Sequence, residues 1–415
     1  AEKLNSRSIP ILGTPYKYID LAEDREKFCE LLEEIGISVP EGLAVTTAEE
    51  AFAAVEKLGY PLVVRPSYVI GGRAMQVVYS DVELKRYLKE AVSISTEHPV
   101  LIDKYVQGKE IEVDAIADGE DVLIPGIMEH IERTGVHSGD SISVYPHFTL
   151  SKEVEDTLID YTKRITKALH ITGLVNIQYA YDGKKIYVIE VNPRASRTVP
   201  ILSKVTKVPM VKLAVAAMLG HKLRDSQYGT GLYRRADYYA VKVPVFSNAK
   251  LTNMDMALGP EMKSTGEVLG IDKDLSKAIY KGFLAAGTKI PTEGNIFVTL
   301  RDPDKNAGTA KTLKRYEQAG FKLYASEGTG AFMHKEGIAA EVIPYEKAKE
   351  MIGEEIQMVI NTPKVANRPE SDTFPIRRKA IERGLPVLTC MDTAAAFLIA
   401  ISLKQKHTRL EYHTL

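Results

Sequence analysis

Tryptophan is absent from this 415-residue chain, and cysteine is scarce. The two cysteines, Cys29 and Cys390, lie far apart, which argues against a disulfide framework and fits a reducing compartment. The first residues lack the apolar core of a signal peptide. The longest apolar run, residues 394–403, is about half the length of a membrane span. We therefore expect a cytoplasmic protein in which residues 394–403 form a buried helix.

An excess of one charge sign is also missing, because 54 basic and 55 acidic residues leave a net charge of -1. No global field draws such a chain to nucleic acid or to an anionic membrane, so any phosphate binding must come from local clusters. Apolar residues make up 45% and charged residues 26%, a balance typical of globular proteins. The length is sufficient for about two or three domains.

Two patterns of predicted elements follow one another along the chain. Residues 22–288 mix strands, hairpins and helices, which indicates an α+β unit. From residue 289 onward, strands alternate with helices, which predicts a smaller parallel α/β domain. The helices of that second pattern are predicted near residues 308–319, 328–335, 345–352, 373–384 and 391–403. Residues 8–15 are predicted to form a strand and a turn. Since one strand cannot bury itself, we expect the chain to begin inside a domain whose earlier part is missing.

The strongest chemical signal is the segment IYVIEVNPRASRT, residues 186–198. Glu190 and Asn192 are two positions apart on a predicted strand, so their side chains leave the same face. An Asp-Gly turn connects this strand to the preceding one, which places Gln178 across from them. Three converging oxygen donors suit Mg²⁺ shared with phosphate oxygens.

Arg194 and Arg197 directly follow this strand and are suited to neutralise charge on a transferred phosphoryl group. An alternative is that Glu190 and Asn192 face solvent and that Arg194 pairs with Glu190. The apolar character of IYVIE favours the first interpretation, because it places the polar groups at the rim of a sheet.

Glycine and arginine occur together between two predicted strands. Gly71 and Gly72 allow the backbone to approach a phosphate, and Arg65 and Arg73 supply positive charge. An ordinary turn is the alternative. The segment is not a Walker loop, because no Gly-Lys-Ser/Thr follows the glycines.

Lys104 ends one apolar strand, and Glu110 begins the next. We interpret the region as a hinge strand that binds adenine through its backbone, with Lys104 at the phosphates and Glu110 at the ribose. A polar outer strand face with an exposed lysine is the alternative. His130 and His137 lack a convincing set of zinc ligands, and GVHSGDS, which contains His137, is typical of an ordered active-site loop.

Seven segments, taken together, resemble the C-terminal half of the carbamoyl-phosphate synthetase large subunit over nearly the whole chain. They are RPSYVIGGRAM, EVDAIADGE, GIMEHIE, GVHSGDS, IEVNPRASRTVP, LGPEM and STGEVLG. The resemblance implies an ATP-grasp unit over residues 22–288 and a methylglyoxal-synthase-like allosteric domain over residues 289–415. Residues 1–21 would be the tail of the α/β domain that precedes the ATP-grasp unit.

The resemblance also implies a reaction and partners. The second half of that subunit phosphorylates carbamate with ATP, using Mg²⁺ or Mn²⁺, for pyrimidine or arginine biosynthesis. Its partners are the N-terminal half of the large subunit and a glutaminase small subunit. The chain by itself has one ATP-grasp unit, so we do not expect it to carry out the whole glutamine-dependent synthesis.

Residue roles carry over position by position from the resemblance. Gln178, Glu190 and Asn192 resemble the metal ligands, and Arg194 and Arg197 the arginines around the phosphoryl acceptor. The nucleotide contacts would be Arg65, Gly71, Gly72, Arg73, Lys104, Glu110 and His137. The effector contacts would be Lys305, Ser326, Thr329, Asn361 and Thr362.

The segment ASEGTG, which opens a predicted helix at a strand end, is physically suited to an anion. The alternative is that its serine or threonine merely caps the helix. Pro363 follows Asn361 and Thr362, and Val243 occupies a position where some members carry an acidic residue. We therefore do not expect uridylate or an ornithine-type activator as the effector.

Two other functions remain open from the sequence. One is a different ATP-grasp ligase that joins a carboxylate to an amine, which would need a larger acceptor pocket. The other is a non-catalytic regulatory fragment, which the complete set of Gln178, Glu190 and Asn192 argues against.

Overall fold

The computed structural model describes residues 2–66, 72, 74–92, 99–247, 255–363 and 373–411. Contacts divide the chain into two units. Unit 1 contains Ala1–Ser138 and Ser143–Asp237, and unit 2 contains Gly139–Ile142 and Tyr238–Thr414. The predicted domain boundaries after residues 21 and 288 stay predictions.

Unit 1 contains short and medium helices and two sheets. Its helices are α1 Glu2–Asn5, α2 Tyr16–Glu23, α3 Arg25–Glu34, α4 Ala48–Leu58, α5 Asp81–Val92, α6 Lys152–Ala168, α7 Val199–Thr206 and α8 Met210–Met218. Its strands are β1 Gly42–Val45, β2 Leu62–Pro66, β3 Gln76–Val78, β4 Val100–Lys104, β5 Lys109–Asp118, β6 Val122–Arg133, β7 Ser143–Tyr145, β8 Thr172–Tyr181, β9 Ile186–Asn192 and β10 Gly231–Leu232.

The smaller sheet of unit 1 is antiparallel, in the order β1-β4-β2-β3. Alternate residues of β2, Leu62 and Val64, are buried on one face, as the period of two along a strand requires. They pack with α4 and α5 through residues such as Ala54 and Leu84. This arrangement leaves Arg65 on the opposite face of β2.

The larger sheet of unit 1 runs β7-β6-β5-β8-β9, with β10 parallel to β6. The strands from β7 to β9 pair antiparallel. Ile111 and Val113 of β5 pack with Val175 and Ile177 of β8 in a core that also includes Leu158 of α6. Nearly all of β5 is buried, so its acidic residues also lie inside the protein.

The predicted strand over residues 8–15 is wrong. Ser8 adopts a left-handed conformation with φ 56°, and the Ile9 amide returns to the carbonyl of Leu4, which closes a turn after α1. The chain then leads directly into α2, whose first turn follows Pro15. The apolar residues near Ile9 thus have no strand partner in the described part of the chain.

Unit 2 contains the second pattern of elements. Its helices are α9 Leu275–Ala285, α10 Ala307–Gln318, α11 Glu327–Lys335, α12 Tyr345–Met351, α13 Phe374–Glu382 and α14 Met391–Gln405. Its strands are β11 Tyr239–Val245, β12 Gly266–Asp272, β13 Asn295–Leu300, β14 Lys322–Ala325, β15 Glu341–Val342, β16 Ile356–Thr362 and β17 Val387–Leu388.

The sheet of unit 2 has five parallel strands in the order β15-β14-β13-β16-β17. This confirms the predicted parallel α/β pattern, and β11 and β12 pair antiparallel with one another. The prediction that residues 394–403 form a buried helix is also confirmed, since α14 buries residues along most of its length. Within the described ranges, no helix is both long and apolar enough to cross a membrane.

We expect Phe397→Ala to lower the free energy of unfolding of unit 2 by about 3–5 kcal/mol, because the change leaves a cavity in a packed core. Phe397 is fully buried, and its ring meets that of Phe283 edge-on at 5.1 Å. Denaturant unfolding followed by circular dichroism measures the effect. Leu284→Ala is the control, since Leu284 is 42% exposed and should change stability by less than about 0.5 kcal/mol. Equal effects of the two changes would contradict this assignment of the core.

Candidate functional site

Two neighbouring strands bring the predicted metal ligands together. In the β8/β9 pair, Gln178 lies opposite Glu190, and Asn176 lies opposite Asn192. The predicted pairing of Gln178 with the Glu190 strand is therefore confirmed. The Asn192 Nδ2 donates to Glu190 Oε1 at 2.9 Å and approaches Asn176 Oδ1 at 3.4 Å. Amide and carboxylate oxygens thus cluster at the end of this hairpin.

The loop after β9 adds a guanidinium group to the cluster. Arg194 donates to Asn192 Oδ1 at 3.1 Å and to the carbonyl of Ala195 at 3.0 Å. Its partner on β9 is therefore Asn192, and the alternative ion pair with Glu190 does not form. Arg194 is exposed, while Arg197 of the same loop is half-buried.

The loop after β6 orients the amide of Gln178. Its Nε2 donates to the Ser138 hydroxyl at 2.9 Å, so the amide oxygen is the atom suited to a cation. The sequence reasoning did not identify Ser138, although the residue belongs to the GVHSGDS segment. The adjacent His137 is half-buried.

A buried polar network supports this hairpin from β5. The Asn176 Nδ2 donates to Glu112 Oε1 at 2.7 Å and to Asp114 Oδ1 at 3.2 Å. The hydroxyl of Thr198 lies 3.1 Å from Glu112 Oε1 and also contacts Asp114. All four side chains are buried. The network was missed from the sequence, because alternating acids on a strand also predict an exposed face.

Burial, together with the nearby charge of Glu112, raises the pKa of Asp114 to about 7. When two carboxyl groups share a site away from water, ionising both costs more free energy than ionising one. Hydrogen bonds from Thr198, Ser196 and Asn176 oppose the shift only in part. The pair therefore retains a proton well above the ordinary range of an aspartate.

Arg65 is held by a carboxylate on the neighbouring strand. The Asp103 carboxylate lies 3.4 Å from the Arg65 Nε and 3.5 Å from Arg25 Nη2. Arg25 also donates through Nη1 to the carbonyl of Ile189, the residue before Glu190, at 3.3 Å. Arg25 thus connects the smaller sheet to the strand that carries Glu190. Neither Arg25 nor Asp103 had been predicted, since nothing in their local sequence distinguishes them from surface charges.

The remaining nucleotide candidates lie near the smaller sheet. The Lys104 Nζ donates to the carbonyls of Gly59 and Tyr60, at 3.0 and 3.2 Å. Gly72 has a left-handed backbone with φ 69°, and its carbonyl accepts from Met75 at 3.0 Å in a turn. Gly71 and Arg73 lie outside the described residues.

The alternative of a polar outer face on β5 is wrong. Glu110 is buried, as are Glu112 and Asp114. His130 lies between the first two, with its Nδ1 3.6 Å from Glu110 and its Nε2 3.4 Å from Glu112. The acidic face of β5 is therefore an interior surface of unit 1.

The predicted effector residues meet at one edge of the parallel sheet in unit 2. Ser326 Oγ lies 3.0 Å from Thr299 Oγ1 and 3.1 Å from Thr329 Oγ1. Asn361 donates to the Thr299 carbonyl at 3.3 Å, and Thr362 ends the neighbouring strand β16. The carboxyl ends of adjacent parallel strands are the usual position of ligand sites in such sheets. We call these residues, with Lys305, the strand-end cluster.

Two features of the strand-end cluster favour an anion. Ser326 precedes α11 but makes no side-chain cap, so the helix-cap alternative does not explain it. The Lys305 ammonium, paired with Asp302 at 2.7 Å, lies 3.4 Å from the position that a Cβ would take on Gly328. The cation thus lies close to the amino end of the helix.

Two family models match the chain. The one described as "Carbamoyl-phosphate synthase L chain, ATP binding domain" matches residues 24–226, and the "MGS-like domain" matches residues 308–389. Among solved structures, the biotin carboxylase domain of a Hydrogenobacter thermophilus 2-oxoglutarate carboxylase, in complex with MgADP and bicarbonate, has a TM-score of 0.52. It is 22% identical, and the match covers 60% of this chain and 56% of that one. At this identity, the likeness shows a shared fold.

Two curated relatives carry the same description, "Carbamoyl phosphate synthase large chain". The protein of Clostridium acetobutylicum is 58% identical over 417 residues, which is 100% of this chain and 39% of the relative. The protein of Lachnoclostridium phytofermentans is 48% identical over 408 residues, covering 96% of this chain and 38% of the relative. The chain therefore spans about two fifths of the length of these relatives.

We expect the stability of unit 1 to fall as the pH rises from about 5 to about 8, because native Asp114 binds its proton more tightly than unfolded Asp114 does. Asp114→Asn carries no titrating group and should flatten this decline. Denaturant midpoints measured across the pH range test the expectation. Asp156→Asn changes an exposed aspartate of α6 and should leave the decline in place. A decline of equal slope in Asp114→Asn would contradict the role of the buried pair.

Proposed function

We propose, because this chain belongs to the family of carbamoyl phosphate synthase large chains, that unit 1 transfers the γ-phosphoryl group of ATP to carbamate. The reaction converts carbamate and ATP into carbamoyl phosphate and ADP. The observation that carries the proposal is the convergence of Gln178, Glu190 and Asn192 beside Arg194 at the end of one hairpin. A γ-phosphate needs such a combination of hard oxygen ligands and guanidinium groups.

The donor set fits a hard divalent cation. Glu190 supplies a carboxylate, and Gln178 and Asn192 supply amide oxygens, which are the ligand types that Mg²⁺ accepts. The hydrogen bond from Gln178 to Ser138 turns the amide oxygen toward this role. When bound, Mg²⁺ or Mn²⁺ would neutralise charge on the phosphate oxygens. The Hydrogenobacter thermophilus structure contains MgADP, and Mg²⁺ is the metal that these oxygen ligands suit.

The other residues of unit 1 would position the two substrates. Arg194 and Arg197 would hold carbamate and the migrating phosphoryl group, since guanidinium groups bind planar carboxylates and phosphates through paired hydrogen bonds. Arg65, fixed by Asp103, would bind phosphate oxygens. The carbamate oxygen attacks the γ-phosphorus in line, and the bond to the ADP oxygen breaks. Catalysis then rests on positioning and charge neutralisation rather than on a covalent intermediate.

The remaining nucleotide contacts belong to the same proposal. Lys104, Gly71, Gly72 and Arg73 would contact phosphates, Glu110 would contact the ribose, and His137 would lie beside the nucleotide. Lys104 would have to exchange its bonds with the carbonyls of Gly59 and Tyr60 to do so.

We also propose that the strand-end cluster binds a phosphate-bearing effector through Lys305, Ser326, Thr329, Asn361 and Thr362. The match of residues 308–389 to the MGS-like domain supports this role. In longer relatives, the activity would depend on the N-terminal part of the large chain and on a glutaminase small subunit. The low number of cysteines, two in the whole chain, supports a cytoplasmic location.

We expect Glu190→Gln to lower the rate of ATP formation from carbamoyl phosphate and ADP by at least about 100-fold, because the change removes the one charged metal ligand. Glu190 is exposed, so circular dichroism should show an unchanged fold. Glu56→Gln, an exposed change on α4, is the matched control and should keep wild-type activity. Near-native activity of Glu190→Gln would refute the metal assignment.

A second assay separates carbamate phosphorylation from the activity of a carboxylate–amine ligase. It measures ATP consumption with a panel of larger carboxylates, which only the ligase should use.

Lys305→Ala should weaken the binding of nucleoside 5′-monophosphates to unit 2 by about 10-fold or more, since a charge-assisted contact to phosphate is lost. Isothermal titration calorimetry measures the affinity for adenosine, guanosine, inosine and uridine monophosphates. Lys311→Ala removes an exposed lysine of α10 and should leave these affinities unchanged. Equal affinities of the two variants for a nucleotide that binds the wild type would exclude Lys305 from the effector site.

A further inference from the structure

A buried arginine lies beside the strand-end cluster. Arg377 of α13 donates to Asp255 through Nε at 2.8 Å and through Nη2 at 2.5 Å, and both side chains are 1% exposed. Its third nitrogen, Nη1, donates to Asn361 Oδ1 and, at 2.9 Å, to Thr373 Oγ1. A guanidinium group is a rigid fork, so each of these acceptors is held in one place.

The start of α13 is adapted to this arrangement. Thr373 occupies the N-cap position of the helix but makes no side-chain cap. Its hydroxyl accepts from the Arg377 side chain instead, and its carbonyl accepts from the Arg377 amide at 3.1 Å. Threonine is a common N-cap residue, so this hydroxyl gives up a stabilising contact of the helix to hold the guanidinium group.

The contact with Arg377 decides the orientation of the Asn361 amide. Guanidinium nitrogens only donate, so the atom of Asn361 that meets Arg377 must be its oxygen. The amide nitrogen then lies on the side of Thr299, the residue opposite Asn361 in the β13/β16 pair, and donates to the Thr299 carbonyl at 3.3 Å. An amide nitrogen carries two hydrogens, and the Thr299 carbonyl takes one, so the other can serve a ligand.

Other polar groups of the strand-end cluster are also arranged as donors. Thr329 Oγ1 accepts from the amide of Leu300 at 2.9 Å, and Thr362 Oγ1 accepts from the amide of Arg301 at 3.1 Å. A hydroxyl group whose oxygen already accepts a hydrogen bond keeps its own hydrogen to donate. Together with the Lys305 ammonium, the cluster therefore offers hydrogens, which the oxygens of a phosphate group require.

We propose that Arg377 is a positioning residue of the strand-end cluster. By holding the amide oxygen of Asn361, it keeps the amide N–H available to the cluster, so that Asn361 donates to the phosphate of the effector. Without Arg377, the amide could turn over and present its oxygen, which would repel the phosphate oxygens. Asp255 keeps the guanidinium group in place. The inference rests on the effector site proposed above and adds to it a residue that does not itself contact the effector.

The test is a double-mutant cycle on the affinity of the full chain for adenosine, guanosine, inosine and uridine 5′-monophosphates, measured by calorimetry. Asn361→Ala removes the proposed donor and should weaken the binding of a nucleotide that the wild type binds by about 10-fold. Changing Asp255→Asn and Arg377→Gln together removes both buried charges, so the fold should persist. We expect this double change to weaken binding by about 5-fold or more.

The triple variant separates a positioning role from a structural one. If Arg377 acts through Asn361, adding the double change to Asn361→Ala should cost less than about twofold in further affinity. Losses that multiply would mean that Arg377 affects binding by another route, and they would overturn the inference. Wild-type affinity in the variant that lacks both buried charges would also overturn it.

A second variant covers the case in which the chain without the two buried charges does not fold. In Asn361→Asp, the side chain can still accept from Arg377, so circular dichroism should show the native fold, but it has no hydrogen for a ligand. We expect its affinity to fall by at least about 10-fold. Asn295→Asp is the matched control, because Asn295 begins β13 at the opposite edge of the same sheet, and it should keep the wild-type affinity.

The outcomes separate this inference from the proposed effector site. Failure of the wild type to bind any of the four nucleotides would overturn the effector site, and the inference with it. Nucleotide binding that is unchanged in a folded Asn361→Asp, or reduced equally in Asn295→Asp, would overturn the positioning role alone. Loss of affinity in Asn361→Asp, with no further loss in the triple variant relative to Asn361→Ala, is the result that we expect.

Discussion

A single amide, that of Asn176, joins the buried carboxyl groups of β5 to the polar end of β9. It donates to Glu112 and Asp114 and accepts from Asn192, which in turn contacts Glu190 and Arg194. A buried polar network of this kind is stable only when its members are satisfied, so each side chain has little freedom. The orientation of the candidate ligands therefore depends on groups that would never touch a substrate.

The same constraint explains why the site needs a sheet with a buried polar face. Phosphoryl transfer depends on donors and charges that are already in place, because reorganising them during the reaction would cost free energy. Asn192 is held on β9 by Asn176 and Arg194, and Arg25 anchors the carbonyl of Ile189 beside Glu190. The hairpin thus presents its oxygen atoms from a rigid element rather than from a loop.

In unit 2, polar groups are likewise held in place before a ligand binds, here at the proposed effector site. Its parallel sheet gathers hydroxyl, amide and ammonium groups at one edge, where backbone groups at the start of α11 also point. Behind this edge, Arg377 of α13 and Asp255 form a buried ion pair, whose two-point contact has a fixed geometry. Buried charges of this kind add little stability compared with apolar residues, but they allow only one arrangement.

The sequence by itself determined the β8/β9 hairpin, the parallel sheet of unit 2 and many of the chemical groups. The period of two along residues 186–192 and the Asp-Gly turn before them were sufficient to place Gln178 opposite Glu190, because strand periodicity and turn chemistry are local properties. The alternation of strands and helices after residue 289 likewise predicted the parallel sheet. Only the tertiary structure decided that the acids of β5 face inward, that Ser326 does not cap α11, and that residues 8–15 are not a strand. The physical reason is that burial and hydrogen-bond partners are set by residues distant in sequence, as Asp255 and Arg377 are from one another.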